Sequence, residues 1–235
     1  PTPLAFFLHA TYTRTALHVA TEHPILTRSS FEAGLRYMGM GDYQTARVQF
    51  EMVLENEPEA VDAWYYIGET YRLEGEHEKA REAFQEAINM DPGFAPAYLG
   101  DALARLALNP EANVLDDLDT AISLDDGYTA AYIQRGAYLV DKGYTRSAIQ
   151  DLETALALDP ASAPAWMYLA QAQLVEGDIE EALASALKAN ELDMTLVPVY
   201  LVLARAYLAD GQIEQVSAVL QTYLLYTPED VEAYL

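Results

Sequence analysis

Residues 58–92 read PEAVDAWYYIGETYRLEGEHEKAREAFQEAINMDP, and this stretch decides the architecture of the chain. Trp64 stands one helical turn before a residue without a side chain, Gly68, so a neighbouring helix can approach closely beside the ring. Gly75 follows, the residue type that a left-handed helix C-cap requires. Ala80, Phe84 and Ala87 then recur at spacing four and three, on one face of a second helix. Asp91-Pro92 stops that helix, because the residue before a proline disfavours the helical region. The stretch therefore predicts a hairpin of two short helices.

The same pattern runs outward in both directions. Proline or a substitute recurs every 34 residues at Pro58, Pro92, Asp126, Pro160, Met194 and Pro228, without insertion or deletion. Glu57, Asp91, Asp125, Asp159 and Asp193 precede the first five of them. The ring position of the first helix holds Trp64, Tyr98, Tyr132, Trp166, Tyr200 and Tyr234, with Ser30 at the start of the frame. The small position holds Gly34, Gly68, Ala102, Gly136, Ala170 and Ala204, and the turn Gly41, Gly75, Asn109, Gly143, Gly177 and Gly211. Ala46, Phe50 and Val53, and again Ala148, Leu152 and Ala155, repeat the second-helix stripe. Each hairpin leaves an apolar face that only the next can cover, so the units stack into an all-α superhelical solenoid.

These residues closely resemble the tetratricopeptide-repeat consensus. The resemblance covers about residues 27–235: six full repeats over 29–230 and the start of a seventh at 231–235. It implies a right-handed superhelix of antiparallel helix hairpins and a non-catalytic scaffold for protein–protein interaction. It also implies that a protein or peptide partner lies along the concave surface of the first helices. The matching positions are Tyr65, Glu69 and Arg72; Leu99, Leu103 and Leu106; Ile133, Ala137 and Val140; Met167, Gln171 and Leu174; and Leu201, Arg205 and Leu208. The lysines and asparagines of the family's clamp for a peptide's terminal carboxylate are missing from these positions. Their mostly apolar lining has two readings: an open apolar groove, or side chains buried against neighbouring helices.

The third repeat departs from the pattern, with Asn109-Pro110 at the turn and Asp101 at a core position. Asp101 is expected either to pair with Arg105 or Arg135 between stacked first helices, or to face water on a rotated helix.

Composition narrows the function classes. A net charge of −24 repels phosphate backbones and anionic lipid, which argues against nucleic-acid binding. No apolar run is long enough to insert in a bilayer. The absence of cysteine excludes disulfides, thiolate zinc sites and cysteine nucleophiles. No phosphate loop, H-E-x-x-H, G-x-S-x-G or dinucleotide fingerprint occurs, so no catalytic, cofactor-binding or metal-ligating residue is expected. Asp116-Asp117-Leu118-Asp119 does not match a calcium loop and reads as a solvated helix face. His9, His18 and His23 lack ligand spacing and read as surface residues.

The ends differ from the body. Arg14 and Arg28 against Glu22 give residues 1–28 a charge of +1, which leaves −25 for the rest. Within this segment, 9–23 reads as the helix of a decayed repeat or as an extended arm. Leu4, Phe6, Phe7 and Leu8 form a short apolar arm before it, and Val231, Tyr234 and Leu235 form no polar cap. Both groups are candidates for a second function: head-to-tail assembly with other copies into an extracellular filament. The Pro1-Thr2-Pro3 start and the lack of cysteine lean towards an exported or cell-surface protein and leave a cytoplasmic one open.

Overall fold

The computed structural model describes residues 24–228. Among the described residues there are twelve α-helices and no strand. The chain divides into two compact units on either side of Tyr128 and Thr129. The first contains α1 (Ile25–Gly39), α2 (Tyr43–Asn56), α3 (Val61–Leu73), α4 (His77–Met90), α5 (Ala95–Leu108) and α6 (Leu115–Leu124). The second contains α7 (Thr129–Asp141), α8 (Thr145–Leu158), α9 (Ala163–Glu176), α10 (Ile179–Leu192), α11 (Pro198–Ala209) and α12 (Ile213–Tyr226). Within each unit every helix packs on the next, and first helices also pack on one another, α3 on α5, α7 on α9 and α9 on α11. This is an all-α helical-repeat solenoid.

The turns follow from backbone chemistry. Gly41, Gly75, Gly143, Gly177 and Gly211 all adopt positive φ, between 78° and 93°. Asn109 does not: its φ of −144° is extended, so the left-handed cap expected there is absent. Pro110 is the reason, since its ring excludes the helical region for the residue before it. Asn109 instead closes a local turn, its side-chain oxygen accepting from the Glu111 N–H at 3.1 Å. The hairpin that follows ends in α6, the shortest of the helices at 10 residues.

The aspartate that follows four of the second helices has a matching role. Asp91, Asp125, Asp159 and Asp193 each accept the backbone N–H two residues on, at 2.8–3.0 Å. The chain is thereby turned towards the next first helix. The ring four positions into that helix is then tied back to the turn. Trp64 donates to the Pro58 carbonyl at 3.3 Å, Tyr98 to Pro92 at 3.1 Å, Trp166 to Pro160 at 3.0 Å and Tyr200 to Met194 at 2.7 Å.

Packing explains the small residues. In the first unit Phe31, Phe50, Tyr66, Tyr65, Phe84 and Phe94 form a continuous train of rings with centroids 5.1–5.8 Å apart. A Cβ at Gly34 would lie 2.6 Å from the Phe50 ring, and one at Gly136 2.7 Å from Leu152. The second-helix side chain therefore occupies the space that the glycine leaves open.

Candidate interaction surface

The first-helix positions expected to face a partner are not equally reachable. Tyr65, Glu69 and Arg72 on α3 are buried, as are Leu99, Leu103 and Leu106 on α5. Ile133, Ala137 and Met167 are buried in the second unit. For these residues the packed alternative is the one observed, and no open leucine groove exists at α5. Tyr65 shows the reason: its ring is wedged among Tyr66, Phe84 and Phe94. Glu69 and Arg72 face each other inside the first unit, with Arg72 Nε and Nη2 each donating at 2.9 Å to a different carboxylate oxygen. Such a fork-to-fork pair satisfies both groups that burial would otherwise leave costly.

The same positions open up further along. On α9, Gln171 and Leu174 are half-buried and the adjacent Val175 is 65% exposed. On α11, Leu201 is half-buried, Arg205 is exposed and Leu208 is 58% exposed. Because α9 packs directly on α11, these equivalent positions belong to neighbouring helices.

Asp101 is buried, and within the first unit its partner is not Arg105. Arg81, from the preceding second helix α4, donates to it at 3.2 Å. Arg105 instead pairs with Asp117 on α6 and donates to the Asn113 carbonyl at 2.7 Å. Burial outweighs that arginine at Asp117 and holds its carboxyl above the usual carboxylate range. Arg135 clasps Asp151 on α8 through two bonds of 2.7 Å.

A separate, largely open groove of about 510 Å³ lies in the second unit between α8, α9 and α10. Leu156, Leu169 and Trp166 line its apolar part, and Gln173, Ser185 and the carboxylates Glu153 and Glu181 its polar part. The Ser185 hydroxyl donates to Gln173 Oε1 at 2.8 Å.

Tyr168, next to this groove in sequence, is buried and its hydroxyl makes no hydrogen bond within the chain. Burial pushes that hydroxyl above the ordinary tyrosine range. Removing an unsatisfied buried polar group relieves its desolvation penalty of about 1–3 kcal/mol. Tyr168→Phe is therefore expected to raise the urea midpoint. Tyr200→Phe, which deletes the bond to Met194, should lower the unfolding free energy by about 1 kcal/mol and the midpoint with it. A Tyr168→Phe variant that unfolds earlier than the parent would show that the hydroxyl is satisfied in solution.

The apolar arm Leu4, Phe6, Phe7 and Leu8, the segment 9–23, and Val231, Tyr234 and Leu235 lie outside the described residues. Among the described residues no helix is long and apolar enough to cross a membrane, and no cluster of three or more His, Asp or Glu could hold a metal ion.

The hairpin geometry agrees with the comparison to protein families. A tetratricopeptide-repeat model matches residues 31–94 and 133–195, more than half of the chain, and a second model of the same description matches 176–235. The chain belongs to the tetratricopeptide-repeat family. The stretch between 94 and 133, which holds Asp101 and the Asn109-Pro110 turn, falls between the matched segments of the first model. No curated protein matches this tetratricopeptide-repeat chain in sequence.

Solved structures are similar in fold. PilW, a widely conserved type IV pilus biogenesis factor, superposes with a TM-score of 0.76 at 22% identity, covering 90% of this chain and 98% of its own. Pseudomonas aeruginosa pilF gives 0.75 at 16% identity, covering 88% and 95%. A tetratricopeptide-repeat protein from Parabacteroides merdae gives 0.65 at 16% identity, covering 85% and 79%. At these identities the likeness establishes the fold.

Proposed function

We propose that the chain is a non-catalytic tetratricopeptide-repeat scaffold that holds a protein or peptide partner on the first-helix face of α9 and α11. The observation that carries this reading is the exposure of Val175 and Leu208, 65% and 58%, on helices whose other faces are packed. Gln171, Leu201 and Arg205 stand beside them and supply polar and charged contacts. The counterparts of Leu201, Arg205 and Leu208 on α3 and α5 are buried, and those of Val175, Leu73 and Ala107, are half-buried, which leaves the later repeats as the more reachable part of this surface. Clustered exposed apolar side chains rimmed by polar ones favour a partner surface over bare solvent.

Selection from a random peptide display library on the immobilised chain tests both parts. The expected binders lose affinity at least about tenfold, the equivalent of one anchor residue, on Leu201→Asp combined with Leu208→Asp. The helical circular-dichroism signal should not change. Peptides that bind the double variant as tightly as the parent would move the site elsewhere. A library that yields no binder at all would overturn the scaffold role itself.

A further inference from the structure

We propose that the groove between α8, α9 and α10 is a second docking site, for a peptide segment carrying arginine or lysine beside an apolar residue. The proposal presupposes the scaffold role above and gives the chemistry of a partner at a different surface. A groove of about 510 Å³ is large enough to take a few side chains. Buried Leu156 and Leu169 make its floor. The Trp166 indole is fixed by its bond to the Pro160 carbonyl at 3.0 Å. Ala157 and Ala184 keep the groove wide. Gln173 uses its carbonyl oxygen to accept from Ser185, and its amide NH2 remains to donate to a peptide carbonyl. Glu153 and Glu181 are exposed, and neither makes an ion pair among the described residues.

The repeat frame sets this groove beside a surface that carries its own cations. Three repeats earlier the equivalent surface lies between α2, α3 and α4, and there the chain fills it with its own cations. The Arg47 guanidinium sits 4.0 Å from the Tyr71 ring centroid and pairs with Glu74 at 2.6 Å. Lys79 lies 5.4 Å from the same ring. One repeat on, Arg81 takes the position of Arg47 and reaches Asp101. In the frame after that, the positions of Arg47, Tyr71 and Lys79 hold Leu115, Leu139 and Ser147, none of them a cation.

At the groove between α8, α9 and α10 the position of Arg47 is Ile149, that of Lys79 is Glu181 and that of Tyr71 is Gln173. No lining residue of this groove is a cation. This groove thus keeps the tryptophan of the Trp64 position and a carboxylate at the Glu51 position, and puts a second carboxylate where Lys79 stands, with no cation among its lining residues. A guanidinium or ammonium from a partner would meet the indole face and the two carboxylates, with its apolar neighbour on the leucine floor. A second copy of this chain, at a net charge of −24, is a poor electrostatic match.

The two tryptophans make the test internal, because Trp64 is the only other one and bonds its own turn carbonyl in the same way. The indole N–H resonances are followed by NMR on the full chain during titration with Ac-Ala-Arg-Phe-Arg-Ala-NH2 and with Ac-Ala-Glu-Phe-Glu-Ala-NH2. The arginyl peptide should shift the Trp166 resonance saturably and leave Trp64 in place, and the glutamyl peptide should shift neither. Glu153→Gln with Glu181→Gln should weaken the arginyl peptide about fivefold, as expected for two solvent-facing charge contacts. Ala184→Leu, which fills the groove from an exposed position, should abolish the response with the circular dichroism unchanged. An unmoved Trp166, an equal response to the glutamyl peptide, or a double variant that binds like the parent would each overturn the proposal. Display-selected peptides that still bind α9 and α11 would then leave the scaffold role standing.

Discussion

Replacing Phe84 by alanine is expected to destabilise the first unit by about 3–5 kcal/mol, the upper range for deleting a buried ring. Phe84 is fully buried, and its ring fits between two helices at glycine positions. A Cβ at Gly68 on α3 would lie 2.6 Å from it, and one at Gly100 on α5 2.5 Å. The cavity left by alanine cannot close, because the helix backbones already approach as nearly as the ring allows, and Tyr65 loses its tilted contact at 5.8 Å. The measurement is urea unfolding followed by Trp64 fluorescence in a Trp166→Phe background, so that only α3 is reported. Gly100→Ala approaches the same site from the other side. There an overpacking cost of about 1–3 kcal/mol is partly offset by a helix-propensity gain of about 1 kcal/mol. A shift below about 1 kcal/mol for Phe84→Ala would mean that the space closes after all, against the lower bound for such truncations.

Gly68 was legible as a small residue one turn after Trp64, but that Phe84 fills its space and reaches Gly100 was not; the 34-residue frame located every described hairpin. The turn glycines were equally readable, and the one exception, Asn109, carried its own warning in Pro110. The bond from Trp64, Tyr98, Trp166 and Tyr200 to the turn carbonyl also had a signal, since from Trp64 onward every ring in that position bears a donor and none is phenylalanine. Depth was not readable. Spacing puts Tyr65 and Leu201 on equivalent faces, but whether a side chain is sealed depends on the neighbours it meets. Phe84 and Phe94 close over Tyr65, whereas Leu201 stays half open. The partner of Asp101 was hidden for a related reason: Arg81 reaches it from another helix, 20 residues away, where within-helix spacing carries no information.

The second large effect is expected at Arg72. Its guanidinium and the Glu69 carboxylate are almost fully buried, and two bonds of 2.9 Å hold them together. Arg72→Met strands a carboxylate in the interior and should cost about 3–5 kcal/mol, the range for breaking a buried pair from one side. Arg72→Lys keeps the charge but gives up the fork, so its loss should be smaller. Glu69→Met combined with Arg72→Met removes both charges at similar volume and should recover most of the stability, leaving a coupling well above that of independent sites. Urea unfolding of the parent, Glu69→Met, Arg72→Met and the double variant gives the cycle directly. Single losses that simply add in the double variant would show that the two groups do not depend on each other. The same proteins also separate framework from contact, because the resemblance to the family placed both residues where a partner would touch. Display-selected peptides that bind the refolded double variant as tightly as the parent would assign the pair to holding α3 in shape. Peptides that lose affinity while the fold is intact would return Glu69 and Arg72 to the binding surface.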